Sequence, residues 1–76
     1  MKYNVGDKVR IKSLDWYNEN KDENNYIDFS KHMFYPLMSK YCGEVFTIEY
    51  VYSDFYLMSE NKHYWTDEMI ECKVEE

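Results

Sequence analysis

The most constraining feature of this sequence is a period-two alternation that begins at Glu44. One face would carry Val45, Thr47, Glu49 and Val51, and the other Phe46, Ile48, Tyr50 and Tyr52. This pattern is typical of a β-strand. Turn signals at Ser53–Asp54 and Glu60–Asn61 separate it from two further strands, predicted over residues 55–59 and 62–65. The segment therefore predicts a meander of three antiparallel strands.

The two ends of the chain predict two more strands with opposite charge. Near the N-terminus, Val9 and Ile11 alternate with the basic residues Lys8, Arg10 and Lys12. Residues 71–75 alternate in the same way, with mostly acidic side chains between the apolar ones. Opposite charges on paired strands are stabilising, and pairing removes two free sheet edges. We therefore expect the first and last strands to pair and to close the sheet into a barrel.

Between these strands the pattern changes twice. Residues 15–25 are almost entirely Asn and charged residues, which predicts an exposed loop. The four-residue spacing of Met33, Leu37 and Tyr41 predicts short helical pieces, with Pro36 opening the second and Gly43 supplying a left-handed stop. Residues 66–70 predict a single helical turn capped by Thr66.

These elements in this order are the outline of a five-stranded SH3-like small barrel, mainly β. The expected organisation is a single domain over residues 1–76, in which residues 15–36 form a long loop insertion with short helical turns. A helical turn precedes the last strand.

The sequence also resembles a family of small uncharacterised proteins found in bacteria and their phages. The matching segments are residues 5–11 with Leu14 and Trp16, residues 38–43 leading to Thr47 and Ile48, and residues 64–71. The resemblance covers nearly the whole chain except residues 17–25. It implies an SH3-like fold and a bacterial or phage origin. No activity and no catalytic residue follow from it.

Composition narrows the classes of function. The chain has two cysteines, a net charge of −6 and no apolar stretch as long as the ~18 residues of a membrane span. We expect a cytoplasmic protein with reduced thiols and no membrane partner. His32, Cys42, His63 and Cys72 are too scattered in sequence for a zinc site, and the two cysteines are expected to be small buried residues. The sequence predicts no enzyme activity, no cofactor and no metal.

The fifteen aromatic residues are the best candidate for a binding surface. A barrel of this size can bury about half of them. The remainder would form an exposed patch, for which the candidates are Trp16, Tyr17, Tyr52, Tyr56 and Trp65. The alternative is that Trp65 and several tyrosines simply complete the core.

Such a patch predicts a non-catalytic module that binds an unidentified protein or peptide. Two alternatives remain open at this point. The basic first strand is compatible with nucleic-acid binding, although the net charge of −6 makes this less favourable. That same charge is compatible with an acidic phage-type decoy of a host nucleic-acid-binding protein. A homodimer interface on the patch is a separate option.

Overall fold

The computed structural model describes residues 2–75 and places seven β-strands along the chain. They are β1 (Lys8–Ile11), β2 (Ile27–Asp28), β3 (Met33–Phe34), β4 (Val45–Val51), β5 (Tyr56–Met58), β6 (Tyr64–Trp65) and β7 (Ile70–Lys73). One α-helix, α1 (Leu14–Asn20), follows β1. Two 3₁₀ helices span Pro36–Tyr41 and Asp67–Met69. The fold is thus mainly β, as predicted.

Five of the strands form one curled antiparallel sheet in the order β6-β5-β4-β1-β7. The predicted meander is confirmed, because β4 pairs with β5 and β5 pairs with β6. The predicted pairing of the first and last strands is also confirmed, but it does not close the sheet, because β6 and β7 remain at its two edges. Strands β2 and β3 form a separate hairpin in the connection between β1 and β4. The sheet curls into a half-barrel around the core.

The core lies on the concave side of this sheet. Nine side chains are almost completely buried: Val9, Ile11, Phe34, Met38, Ile48, Tyr56, Met58, Trp65 and Met69. Six come from the five-stranded sheet, Phe34 and Met38 come from the connection between β1 and β4, and Met69 comes from the second 3₁₀ helix. Each fully buried side chain of this kind contributes roughly 1.5–3 kcal/mol of transfer free energy, so the connection is part of the folded unit.

The pairing of β1 with β7 contains a bulge that changes the predicted side-chain directions. Arg10 lies opposite Cys72 and Ile11 lies opposite Ile70, so Glu71 is the extra residue. Cys72 is therefore exposed, and the expectation of a small buried residue at this position was wrong. Arg10 lies opposite Cys72 and not opposite an acidic residue, and its guanidinium donates a hydrogen bond to the Gly43 carbonyl oxygen at 2.8 Å.

The segment predicted as an exposed loop over residues 15–25 begins with a helix, which corrects that prediction. Ser13 caps α1 by accepting a hydrogen bond from the backbone N–H of Trp16 at 3.1 Å. A seven-residue helix is not stable alone. Trp16 stacks on Phe29 and meets the edge of Phe34, and these contacts hold the helix against the β2–β3 hairpin.

The next segment also differs from its predicted form. Met33 and Phe34 belong to strand β3, not to a helix, because they pair with Asp28 and Ile27. Pro36 then opens the 3₁₀ helix that ends at Tyr41, and Gly43 follows with a φ of +81°. The four-residue apolar spacing in this region reflects side chains on two different elements.

Thr66 does not cap the turn that follows it. Its backbone is extended, but its side chain makes no capping hydrogen bond, and its buried hydroxyl has no hydrogen-bond partner. The capping role predicted from its position was therefore wrong.

Candidate functional site

Three of the five aromatic residues proposed for an exposed patch lie in the core, which corrects that prediction. Tyr56 and Trp65 are 0% exposed, and Tyr17 is also buried. Tyr56 of β5 and Trp65 of β6 lie opposite each other, and both side chains point into the core. The Trp65 indole N–H donates to the Asn61 side-chain oxygen at 2.8 Å. These rings complete the core and cannot receive a ligand.

The hydroxyls of the two buried tyrosines are also committed to internal contacts. The Tyr17 hydroxyl donates to the Asn25 carbonyl oxygen at 2.7 Å. The Tyr56 hydroxyl donates to the Asp67 carboxylate and accepts from the backbone N–H of Tyr3. Burial, together with the hydrogen bond to Asp67, raises the pKa of the Tyr56 hydroxyl far above its usual value. Both tyrosines therefore act as structural residues.

Trp16 is half-buried and belongs to the contact between α1 and the β2–β3 hairpin. Phe34 is one of the residues through which the rings of the connection between β1 and β4 contact those of the meander. Its ring centroid lies 5.3 Å from that of Trp16 and 6.2 Å from that of Trp65. The contact between Phe34 and Trp65 lies inside the protein, because both side chains are fully buried.

Tyr52 is exposed, as proposed, and it is one member of a continuous surface of rings. Its ring stacks on Phe55 with centroids 4.6 Å apart, and Phe55 lies 4.4 Å from Tyr64. Tyr50 lies 6.3 Å from Tyr52. His32, at the end of the β2–β3 hairpin, lies 5.1 Å from Phe55. We call these five residues, Tyr50, Tyr52, Phe55, Tyr64 and His32, the outer aromatic patch.

The patch lies on the convex side of the sheet. Tyr50 lies opposite Leu57, and Leu57 lies opposite Tyr64, so an apolar row crosses three strands. Tyr50 and Tyr64 are 54% and 53% exposed, and Tyr52 is 44% exposed. Three large rings thus remain open to solvent at neighbouring positions.

A bulge in β4 is the reason that Tyr50 belongs to this surface. The alternation places Tyr50 on the same face as Phe46 and Ile48, which are buried. In the structure Ile48 pairs with Met58 but Tyr50 pairs with Leu57, so Glu49 is an extra residue. One extra residue moves every later side chain to the opposite face. The bulge therefore turns Tyr50 from the core to the surface.

A surface pocket of about 530 Å³ opens beside the patch. It lies between the β2–β3 hairpin and the turn that precedes β6, and its lining is Ser30, Lys31, His32, Met33, Tyr35, Lys62, His63 and Tyr64. We call it the basic pocket, because its lining contains two lysines and two histidines but no acidic residue. His32 and Tyr64 belong to both the pocket and the patch.

Asp54 is an acidic residue that lies beside the basic pocket. Its carboxylate lies 3.4 Å from His32 Nε2 and 3.9 Å from Lys31 Nζ. His32 Nε2 is buried and has no partner with hydrogen-bond geometry. The Lys31 side chain is 78% exposed, so this ion pair is a weak surface contact.

Sequence reasoning missed Tyr50, Phe55, Tyr64 and His32 as members of the surface. One signal was available for Tyr64. Adjacent residues in a strand point to opposite faces, so a core position for Trp65 requires an outward Tyr64. Tyr50 depends on the bulge and His32 depends on the hairpin, and neither follows from the local sequence pattern.

Within residues 2–75, no three His, Cys, Asp or Glu side chains lie close enough together to hold a metal ion. In the same range, no helix is long and apolar enough to cross a membrane. Comparison with protein-family models, curated proteins and solved structures found no match to this chain.

Proposed function

We propose that this protein is a non-catalytic binding module that takes an extended peptide segment of a partner protein on the outer aromatic patch. The observation that carries this proposal is the unbroken series of ring contacts from Tyr50 to Tyr64 on the solvent side of the sheet. Contiguous exposed apolar surface of this kind marks interaction sites in small proteins. Rigid rings provide contact area at a small cost in conformational entropy.

We further propose that the sheet is an SH3-like barrel. In support of this, a long first connection precedes the meander, and a short 3₁₀ helix lies directly before the last strand. SH3-like folds carry exposed rings between the long first loop and the later turns. His32 comes from the first connection, and Phe55 comes from the turn between β4 and β5. Their contact matches that arrangement.

A random-peptide display library, followed by shift-perturbation titration of the selected peptides, tests the proposal. We expect the shifts to centre on Tyr50, Tyr52 and Tyr64. The double variant Tyr50→Ser/Tyr52→Ser should bind at least about tenfold more weakly, because aromatic anchors dominate binding energy.

Leu37→Ser is the matched control, because Leu37 is 74% exposed but lies outside the patch. It should bind as the unaltered protein does. Sedimentation velocity should show a monomer. Self-association that the double variant abolishes would instead identify the patch as a homodimer interface and would contradict the proposal.

A further inference from the structure

We infer that the partner of this protein is an acidic peptide, with an aromatic or apolar side chain on the outer aromatic patch and a neighbouring Asp or Glu carboxylate in the basic pocket. This inference rests on the proposed function, because it names the chemistry of the ligand that the same surface would take.

The charge of the pocket is the first argument. The chain as a whole carries a net charge of −6, yet this pocket is lined by Lys31, Lys62, His32 and His63 and by no acidic residue. A pocket whose charge is opposite to that of the protein attracts ligands that the remaining surface repels. The basic pocket is therefore suited to an anionic group.

The lysines of the pocket are available to a ligand. Lys31 makes only a long, exposed ion pair with Asp54, at 3.9 Å. Lys62 is exposed and makes no ion pair with any of residues 2–75. Neither side chain has to break a strong internal contact to reach a carboxylate.

The polar and apolar parts of the pocket suit a side chain of an extended peptide. Met33, Tyr35 and Tyr64 provide its apolar lining, while the lysines provide its charge. Tyr35 is held by an edge contact with Tyr26, at 5.6 Å between centroids. An apolar lining with a few convergent polar groups is typical of a ligand site.

The position of the pocket links it to the patch. The His32 ring lies 5.1 Å from Phe55 and 5.9 Å from Tyr64, so the patch continues directly into the pocket. An extended chain advances about 3.3 Å per residue. A peptide with one ring on the patch can therefore place a carboxylate in the pocket from a position one or two residues away.

Single-stranded nucleic acid is the alternative ligand for a surface that combines rings with lysines. Proteins that bind single strands combine stacking rings with a groove that is positive along its length. Here the rings and lysines also have acidic neighbours. Glu49 lines a cavity together with Tyr64 and Lys62, and the Asp54 carboxylate lies 3.4 Å from His32 Nε2. One anionic group fits this distribution better than a continuous phosphate backbone does.

The test begins with peptides selected from a random display library by the unaltered protein. We expect Asp or Glu to be enriched within two residues of an aromatic or apolar anchor. In a selected peptide, replacing that acidic residue by its amide should weaken binding about three- to tenfold at low salt. Lys62→Gln and Lys31→Gln should each weaken the acidic peptide to a similar extent.

The acid-to-amide change in the peptide and the loss of both lysines in the protein should not add. The Lys31→Gln/Lys62→Gln protein should bind the acidic peptide and its amide counterpart equally well, because the carboxylate has then lost both partners. Lys21→Gln, which alters a lysine just after α1, is the matched control and should leave affinity unchanged. Selection with Lys62→Glu should shift the enriched residues from acidic to basic.

The failures of the two proposals are distinguishable. Selected peptides that bind on the patch with no acidic preference, and with no effect of Lys62→Gln, would overturn this inference and leave the proposed function intact. Peptides that bind elsewhere on the protein would overturn both. Binding of an oligothymidine probe that depends on Tyr64 and Lys62, when selected peptides bind only weakly, would overturn the peptide ligand in favour of nucleic acid.

Discussion

The two faces of strands β5 and β6 carry similar residues in opposite roles. On the concave face, Tyr56 and Trp65 are completely buried. On the convex face, Tyr64 is half-exposed, although it directly precedes Trp65 in the chain. The comparison shows that aromatic composition by itself does not separate core from binding surface. Position within the pleat separates them.

The outer face is unusual for a small domain. Large exposed rings at neighbouring positions contribute little to folding, and they increase the tendency to associate. The inner face, by contrast, has one ring in contact with several others, as Trp65 contacts Phe34, Tyr41 and Phe46. The two faces should therefore respond very differently to the same substitution.

The largest expected difference is between Trp65→Ala and Tyr64→Ala. Removing the buried indole should lower the free energy of unfolding by about 3–5 kcal/mol, through lost burial and the cavity that remains. Removing the adjacent exposed ring should cost about 1 kcal/mol or less. Urea unfolding followed by circular dichroism measures both.

Trp65→Phe provides a milder core variant in case Trp65→Ala does not fold. It should be less stable than Tyr64→Ala, because it loses both volume and the hydrogen bond to Asn61. Equal losses of stability at positions 64 and 65 would show that the two faces are not distinct.

A smaller effect is expected from Tyr56→Phe, which keeps the buried ring but removes its hydroxyl. The change leaves the Tyr3 N–H without its acceptor, and Asp67 keeps only the long hydrogen bond from the Lys2 N–H, at 3.4 Å. We expect a loss of about 1–2 kcal/mol in the free energy of unfolding at neutral pH. Tyr52→Phe, at an exposed ring, is the control and should be close to neutral.

The same hydroxyl predicts a loss of stability at alkaline pH. The pKa of Tyr56 is raised in the folded protein, whereas an unfolded tyrosine ionises near pH 10. Above about pH 10 the unfolded chain therefore binds fewer protons than the folded one, and stability falls as pH rises. Burial raises the pKa of Tyr17 in the same direction.

Unfolding titrations at several pH values between neutral and strongly alkaline check this prediction. Tyr56→Phe should reduce the slope of stability against pH but not abolish it, because Tyr17 remains. An unchanged slope would show that the Tyr56 hydroxyl does not hold its proton in the folded state.

The smallest expected effect is a difference in reactivity between the two cysteines, one of which packs against the core while the other lies on the surface. Cys42 packs against the core, and burial raises the pKa of its thiol, whereas Cys72 is exposed on β7. Thiolate is the reactive form, so a thiol reagent should modify Cys72 first. Mass spectrometry of the singly labelled protein, with Cys72→Ser as the control, identifies the site. Faster labelling of Cys42 would contradict the packing of that thiol.

Much of the sheet could be predicted from the sequence. The period-two pattern predicted the meander, and the opposite charges of the two ends predicted the pairing of β1 with β7. The inward position expected for Cys72 in that last strand is not observed. Val9, Ile11, Phe46 and Ile48 are buried as the pattern requires. Gly43 adopts the left-handed conformation that its position after Cys42 predicts. These features depend on local alternation and on backbone preference, and both are visible in one stretch of chain.

Helix α1 could not be predicted in this way. Four of its seven residues are polar and Leu14 is exposed, so Trp16 and Tyr17 provide the apolar side that packs inward. The helix forms because Phe29 and Phe34 of the hairpin pack against those two rings, and this contact joins segments that are separate in sequence.

The sequence by itself thus determined that this chain forms a small antiparallel sheet with more rings than its core can bury. Only the tertiary structure decided which rings remain outside. Tyr50 is turned outward by a bulge at Glu49, and His32 is brought to Phe55 by the hairpin. The physical reason is that alternation determines which residues of one strand share a face, whereas bulges and long-range contacts determine which face packs against the core.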